Sequence, residues 1–367
     1  KSIMKMNLNR MNQLPRSCKL DFILYAQKMG FIQPEFSKIQ EKLTLTHIAY
    51  KSLGLALKNN IINDWKRDAR ESDLEMLWQF SDTNDKKQVC EVVRSAVTRQ
   101  NKSLPFGIVV QPTEDMSDFK NNSTESLILH SFLDGREVDI ELSNSQVFCK
   151  AIFCYQQTSV LFHQMWTRKR KRWWRKLAFN PSSFELFHSD NNQIYVCNCH
   201  INPPLEILQL HSSPEASFWG LDSQGNSKDE ASVITEEVNI DLAVLSYLRD
   251  AYHHNLLNEI VMKLHTSLAP VKIAIVVDSK DQKVINLAKT VARYFEQSQL
   301  TFLMEQDGGD MHSQTRRYDS MGVPFSIILT DITLHTQILL LRGRDTTLCE
   351  EVYLEDLHEI LVRIYKF

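Results

Sequence analysis

The sequence predicts an α+β N-terminal domain with an antiparallel sheet, followed by an α/β C-terminal domain with a mixed sheet. Three observations carry this expectation. Apolar, strand-like runs at residues 104–110, 126–132, 138–142 and 147–155 succeed one another without helical periodicity, and consecutive strands of this kind pair antiparallel. From residue 271 onward, apolar strands alternate with helical spacing, which implies a parallel or mixed sheet carrying helices. Near the end, residues 325–329 and 338–341 are two short apolar runs bounded by turn signals. A polar corner and then Leu354, Leu357, Ile360, Leu361 and Ile364 at helical spacing follow them.

Composition narrows the class. At 367 residues the chain is long enough for two or three cores. With 43% hydrophobic and 24% charged residues it has the make-up of a globular protein rather than a disordered one. No run approaches the roughly 18 apolar residues of a spanning helix. The formal net charge of −3 means that any nucleic-acid site is a local patch. Seven scattered cysteines fit a reducing compartment better than a disulfide framework. Cys197 and Cys199, two residues apart after the apolar Ile194-Tyr195-Val196, read as buried cysteines on one strand face, because a metal site would need further ligands at suitable spacing.

Taken in order, residues 1–19 form a basic leader in which Lys1, Lys5, Arg10, Arg16 and Lys19 precede the first acid, Asp21. An acid-free basic start without an initiating Met is typical of a processed mitochondrial transit sequence, and equally of a plain flexible terminus. Residues 20–29 and 43–65 carry helical spacing, with Ile48, Leu53, Leu57, Ile61 and Trp65 on the apolar side. Residues 67–99 read as charged and helical, with Leu77, Trp78, Val89, Val93 and Ala96 as buried positions. Asn121 and Asn122 open glycosylation sequons, which without a secretory signal are ordinary loop residues. Residues 212–232, rich in Ser, Gly, Asp and Asn, read as a long surface loop. A helix at 242–252 completes the first domain, and the boundary falls near 266–270. Beyond it come a strand at 271–277, a helix through Val284, Leu287, Ala288, Val291 and Phe295, a strand at 300–304, and a turn at Asp307-Gly308-Gly309-Asp310.

The strongest charge signal is the stretch Arg168, Lys169, Arg170, Lys171, Arg172, Trp173, Trp174, Arg175, Lys176, seven of nine residues basic. On a helix, Phe162, Trp166, Trp173 and Leu177 share one inward face, which leaves Trp174 beside the cations. Such a density of cations with aromatics interleaved suits a phosphate backbone, which releases counterions on binding and carries no sequence information. The plainer alternatives are a solvated helix face or a patch paired with acids of a neighbouring protein. The candidate DNA-binding residues are therefore Arg168, Lys169, Arg170, Lys171, Arg172, Trp174, Arg175 and Lys176. No phosphate loop, nucleophile elbow or zinc helix motif occurs. His253-His254 at a helix end reads as structural.

Gly322-Val323-Pro324-Phe325, the two strands after it, the Arg342-Gly343-Arg344-Asp345-Thr346 corner and the closing helix together resemble the anticodon-reading C-terminal domain of class IIa aminoacyl-tRNA synthetases. With Leu268-Ala269-Pro270-Val271-Lys272 and Trp173-Trp174-Arg175-Lys176-Leu177-Ala178 added, the chain is more similar to the accessory, or processivity, subunits of mitochondrial DNA polymerase gamma, a synthetase-like family without synthetase chemistry. Leu53-Gly54-Leu55 and Leu104-Pro105-Phe106-Gly107-Ile108 resemble further segments of that family, the first without its proline.

The resemblance implies a synthetase-like domain over 20–265 and an anticodon-binding-like domain over 266–367. It implies a mitochondrial matrix protein of the nucleoid that binds the polymerase catalytic subunit and primer-template DNA, with no cofactor and no membrane. A homodimer is not expected, because the helical insertion at 67–100 is too short for the multi-helix interface of vertebrate members. Strand 338–341 is apolar on both faces. Either it is interior, or Leu339 and Leu341 face the polymerase with Arg342 and Arg344 as a docking rim. Synthetase chemistry would need an Arg-x-Glu strand motif, which this sequence lacks. It would also need a glycine and an arginine where Val238-Asn239-Ile240-Asp241-Leu242 stands, so the chain is expected not to be an enzyme. The rival expectations are a divergent class IIa synthetase and a stand-alone tRNA- or RNA-binding module.

Overall fold

The computed structural model describes residues 17–39, 42–81, 86–99, 104–112, 137–143, 145–189, 193–211, 231–255, 257–298, 300–305 and 310–365. Most of the basic leader, the strand expected at 126–132, the two sequons, nearly all of the 212–232 loop and most of the 307–310 turn lie outside the described residues.

The chain opens with β1 (Ser17–Lys19), α1 (Leu20–Lys28), β2 (Ile32–Ile39), β3 (Lys42–Tyr50) and α2 (Ser52–Arg70). Residues 43–65 are thus not one helical stretch. Leu43, Leu45 and Ile48 lie on β3, which pairs antiparallel with β2, and the helix begins only at Ser52. Alternation within Leu-Thr-Leu-Thr is the strand signal that the helical template absorbed. The start of α2 passes so close to the preceding chain that a Cβ at Gly54 would sit 1.8 Å from the Phe31 carbonyl oxygen, so only glycine fits.

Next come β4 (Met76–Ser81), α3 (Lys86–Arg99), β5 (Phe106–Pro112), β6 (Glu137–Ile140) and β7 (Val147–Tyr155). The span expected to be helical from 67 to 99 is interrupted by β4, whose Leu77 and Trp78 pair with β5. Then follow α4 (Ser159–Lys176), β8 (Phe184–His188), β9 (Gln193–Asn198), β10 (Ile201–His211), β11 (Ala231–Asn239) and α5 (Ile240–Ala251). Seven strands form one sheet in the order β4-β5-β7-β11-β10-β9-β8, antiparallel except for the β4–β5 pair. A second sheet has the order β1-β6-β3-β2.

Both faces of the larger sheet are covered, which is why β5 is apolar at nearly every position. Ile108 and Val110 pack with Cys90, Val93 and Ala96 of α3. Val109 points the other way, into a core shared by Leu57, Ile61 and Trp65 of α2, Trp166 and Trp173 of α4, and Leu242 and Leu245 of α5. Cys197 is buried on β9, but Cys199 lies half-buried in the turn after it, so the two thiols do not share a strand face. Among the described residues no group of His, Cys, Asp or Glu could hold a metal ion, and no helix is long and apolar enough to cross a membrane.

Two short strands, β12 (Tyr252–His254) and β13 (Ile260–Met262), pair with each other ahead of the C-terminal part, which comprises β14 (Ile273–Asp278), α6 (Gln282–Gln297), β15 (Phe302–Met304), α7 (Met311–Ser320), β16 (Phe325–Thr330), α8 (Asp331–Thr336), β17 (Ile338–Gly343), β18 (Cys349–Tyr353) and α9 (Leu357–Tyr365). Its sheet, in the order β15-β14-β16-β17-β18, is parallel over the first three strands and antiparallel over the last two, the expected mixed sheet. Ile273, Ile275, Ile327 and Leu329 face Val284, Ala288 and Phe295 of α6 and Leu357 and Leu361 of α9. Ala274, Val276 and Ile328 face Tyr318 of α7. The elements α7, α8 and β18 were not anticipated. Helix α7 carries few apolar residues, and β18 contains Glu350 and Glu351.

Candidate nucleic-acid interface

Helix α4 carries the basic tract, and its cations divide into two populations. At about 100° per residue, the buried positions His163, Trp166, Thr167, Arg170, Trp173 and Trp174 span an arc of roughly 120° with Arg170 near its middle. Apolar residues alone place the inward face too far toward Trp173. Arg170 and Trp174 are fully buried, so the assignment of these two to DNA binding is corrected.

Arg170 is the hub of an interior ion network. Its Nε donates to Glu206 Oε1 at 2.7 Å and its Nη1 to Asp68 Oδ2 at 2.9 Å. Glu236 accepts from Lys150 Nζ at 2.8 Å, Trp166 Nε1 at 2.8 Å and Trp65 Nε1 at 3.1 Å. The Trp174 indole donates to Glu206, while its ring lies against Phe184 and Tyr247. Trp173 donates to Asp64 at 2.8 Å. A buried guanidinium would be costly alone; here its carboxylate partners and the indole donors together satisfy the charges.

Burial raises the Glu206 carboxyl, with Arg170 opposing. At Glu236 burial pushes the same way, but Arg170 and Lys150 outweigh it and the carboxyl is lowered. Burial lowers the Lys150 ammonium despite Glu236. For Arg170 burial works against the charge, yet Glu206, Glu236 and Asp68 raise its pKa and keep it charged.

Sequence reasoning missed Lys150, Glu206, Glu236, Asp64 and Asp68. A signal was present: Lys150 sits within Phe148-Cys149-Lys150-Ala151-Ile152 and Glu206 within Leu205-Glu206-Ile207-Leu208, single charges in apolar strands that must find partners when buried.

The rest of the tract is peripheral. Arg168 and Arg172 are exposed and Lys171 is half-buried. Lys169 lies 3.8 Å from Asp68, Lys176 lies 3.0 Å from Asp64, and the Nε of Arg175 donates to the Phe184 carbonyl at 3.0 Å. Arg168, Lys171 and Arg172 are thus cations for which no carboxylate lies at ion-pair distance among the described residues. Toward the N-terminal end of α4 the outer face is apolar instead, with Val160, Leu161 and Met165 exposed.

At the second expected surface, β17 lies between β16 and β18. Leu339 and Leu341 pack in the core under α6 and α9, and Leu340 packs toward α7. The strand is interior, which corrects the placing of Leu339 and Leu341 on a docking face. Arg342 pairs with Asp319 through two bonds of 2.9 and 2.8 Å. Arg344 is buried, donating to the carbonyls of Gly322 and Leu264 at 2.9 Å each, so it ties the chain together rather than framing a rim.

Where β11 meets α5, Asn239 Oδ1 accepts from the Leu242 amide at 3.0 Å. Asp241 accepts from the Tyr50 hydroxyl at 2.6 Å, the Gln146 amide at 2.7 Å and Lys58 Nζ at 2.9 Å. Those carboxylate oxygens are committed to holding α2 and β7 against α5.

Residues 271–364 match the family described as the anticodon binding domain. The chain is 28% identical to DNA polymerase subunit gamma-2 of Mus musculus over 297 residues, which cover 72% of this chain and 60% of that protein. It is 24% identical over 245 residues to "DNA polymerase subunit gamma-2, mitochondrial" of Xenopus laevis, covering 58% of this chain and 51% of that one. It is 23% identical over 293 residues to the glycine–tRNA ligase of Alkaliphilus metalliredigens, covering 72% and 59%. The chain resembles the polymerase accessory subunits and, with them, the synthetases. The matches span less than two thirds of each of these relatives.

Proposed function

We propose that this chain is a non-catalytic accessory subunit of the mitochondrial DNA polymerase, working in the nucleoid of the matrix. It raises processivity by slowing the dissociation of the catalytic subunit from primer-template DNA. The similarity to DNA polymerase subunit gamma-2 along most of the chain is the observation that carries this reading. In this reading residues 20–265 are the synthetase-like part and 266–367 the anticodon-binding-like part. A single short helix, α3, stands where a multi-helix dimer interface would have to be built, which favours one copy per catalytic subunit.

DNA is held by Arg168, Lys171 and Arg172, with Lys169, Arg175 and Lys176 beside them. Arg170 and Trp174 act from inside by fixing the helix. For the polymerase, the C-terminal sheet offers Leu348 and Tyr353, exposed at the two ends of β18, in place of the interior Leu339 and Leu341. The non-catalytic reading draws support from the missing Arg-x-Glu motif and from the dense packing of indoles and ion pairs over the sheet face that bears Lys150, Glu206 and Glu236.

Primer extension by the mitochondrial catalytic subunit under single-encounter conditions tests the reading. Longer products with this chain present are expected; unchanged product length with well-folded protein overturns it. The similarity to glycine–tRNA ligases sustains a second reading, an aminoacylating enzyme, and ATP–pyrophosphate exchange with glycine would establish that one instead.

A further inference from the structure

We propose that a cavity at the C-terminal end of α5 binds a phosphate monoester. The cavity, about 490 Å³, is lined by Arg249 from the last turn of α5, by Tyr252, His253 and His254 of β12, and by His200 from the turn after β9. Asp21 and Phe22 at the start of α1 complete its wall. One guanidinium and three imidazoles thus meet a single carboxylate. Its volume lies within the roughly 300–1,000 Å³ usual for small-molecule sites.

The end of a helix attracts cations to its bare carbonyls, which offers an ordinary reason for a basic cluster there. Here the last three of those carbonyls are already occupied. Asp250 O receives the His253 ring nitrogen at 2.8 Å, Ala251 O receives the Lys263 amide at 2.7 Å, and Arg249 O receives the Tyr252 amide. The Asp250 carboxylate next to Arg249 is turned away, accepting the amides of Phe179 at 2.6 Å and Asn180 at 3.2 Å. Among the described residues no carboxylate lies within ion-pair distance of the half-buried Arg249. A guanidinium so placed, with imidazoles around it, presents a fork of donors that matches the oxygens of a phosphate.

The local field agrees with this geometry. Burial holds the His253 imidazole below its ordinary range; the hydrogen bond to the Asp250 carbonyl opposes it, and Lys263, Arg249 and His254 add smaller contributions in the direction of burial. The half-exposed Tyr252 ring at the wall offers a face to the organic part of an ester. This site is on a different element from the outer face of α4 and does not depend on the polymerase reading.

Calorimetric titration of the full chain with inorganic phosphate, a nucleoside 5′-monophosphate and the unphosphorylated nucleoside tests the proposal. Both phosphate probes are expected to bind and the nucleoside not to. Tighter binding of the monophosphate than of inorganic phosphate is expected, and equal binding of the two would identify free phosphate and overturn the monoester. Arg249→Gln should weaken both by roughly tenfold or more, Arg249→Lys by less, and Lys289→Gln, exposed on α6, not at all. Unchanged thermal midpoints establish that the variants are folded. Absence of saturable binding at millimolar phosphate, unchanged binding by Arg249→Gln, or equal binding of the bare nucleoside overturns the proposal.

Discussion

The Asp250 carboxyl receives two backbone amides, yet burial outweighs them and pushes it up to about 6 from an ordinary 3.8. Because the folded chain holds this proton more tightly than the unfolded chain does, the stabilisation is complete below about pH 4. It is lost as pH rises through 6, a change on the order of 2–3 kcal/mol. Asp250→Asn keeps an acceptor for the Phe179 and Asn180 amides and removes the titration. Urea midpoints measured from pH 4 to 7 should therefore show wild type losing stability relative to the variant as pH rises. A constant difference across that range would mean that Asp250 ionises freely in the folded chain.

Helix α4 buries one side of its basic tract and exposes the other. Arg168→Gln, Lys171→Gln and Arg172→Gln together should leave folding nearly unchanged, since exposed charges contribute little. The slope of log affinity for DNA against log salt should fall by roughly 0.9 for each phosphate that is no longer neutralised. Arg170→Gln should do the reverse, destabilising the chain by about 3–5 kcal/mol, because Glu206 and Glu236 would keep their buried charge with one cation fewer. A triple variant with an unaltered salt slope would remove DNA from the function of this helix. The seven cations were legible in the sequence. Their division was not, because acids that follow 30 to 70 residues later, and others about 100 residues earlier, choose which of them turns inward.

At the scale of the whole molecule, the two halves are joined by polar contacts to backbone. Arg344 reaches Leu264 O, Asn60 reaches the carbonyls of Leu268 and Ala269 at 3.1 Å each, and the Tyr25 hydroxyl reaches Ser320 O at 3.1 Å. Arg344→Ala would strip buried carbonyls of their donor, each worth about 1–3 kcal/mol. Equilibrium unfolding followed by two probes, tryptophan fluorescence and far-UV circular dichroism, is expected to lose coincidence in that variant. All six tryptophans precede residue 220, so fluorescence reports the first half alone. Transitions that still coincide would mean that the other ties suffice.

The sequence by itself determined that the larger N-terminal sheet is mainly antiparallel and the C-terminal sheet mixed, but not that residues 137–140 leave the larger sheet to pair with β1 and, in parallel, with β3. Runs such as Val147–Tyr155 and Phe325–Thr330 are apolar because they are covered on both faces, and that pattern is local enough to read directly. It also determined that a dense positive charge lies on one helix. Only the tertiary structure decided that Arg170 and Trp174 are interior, that β17 is enclosed by β18, and that Arg344 is a tie between distant segments. The physical reason is the same in each case. A charged or apolar side chain has two good environments, and the selecting partners, Glu206, Glu351 opposite Leu340, and Leu264, arrive from parts of the chain whose proximity no local pattern encodes.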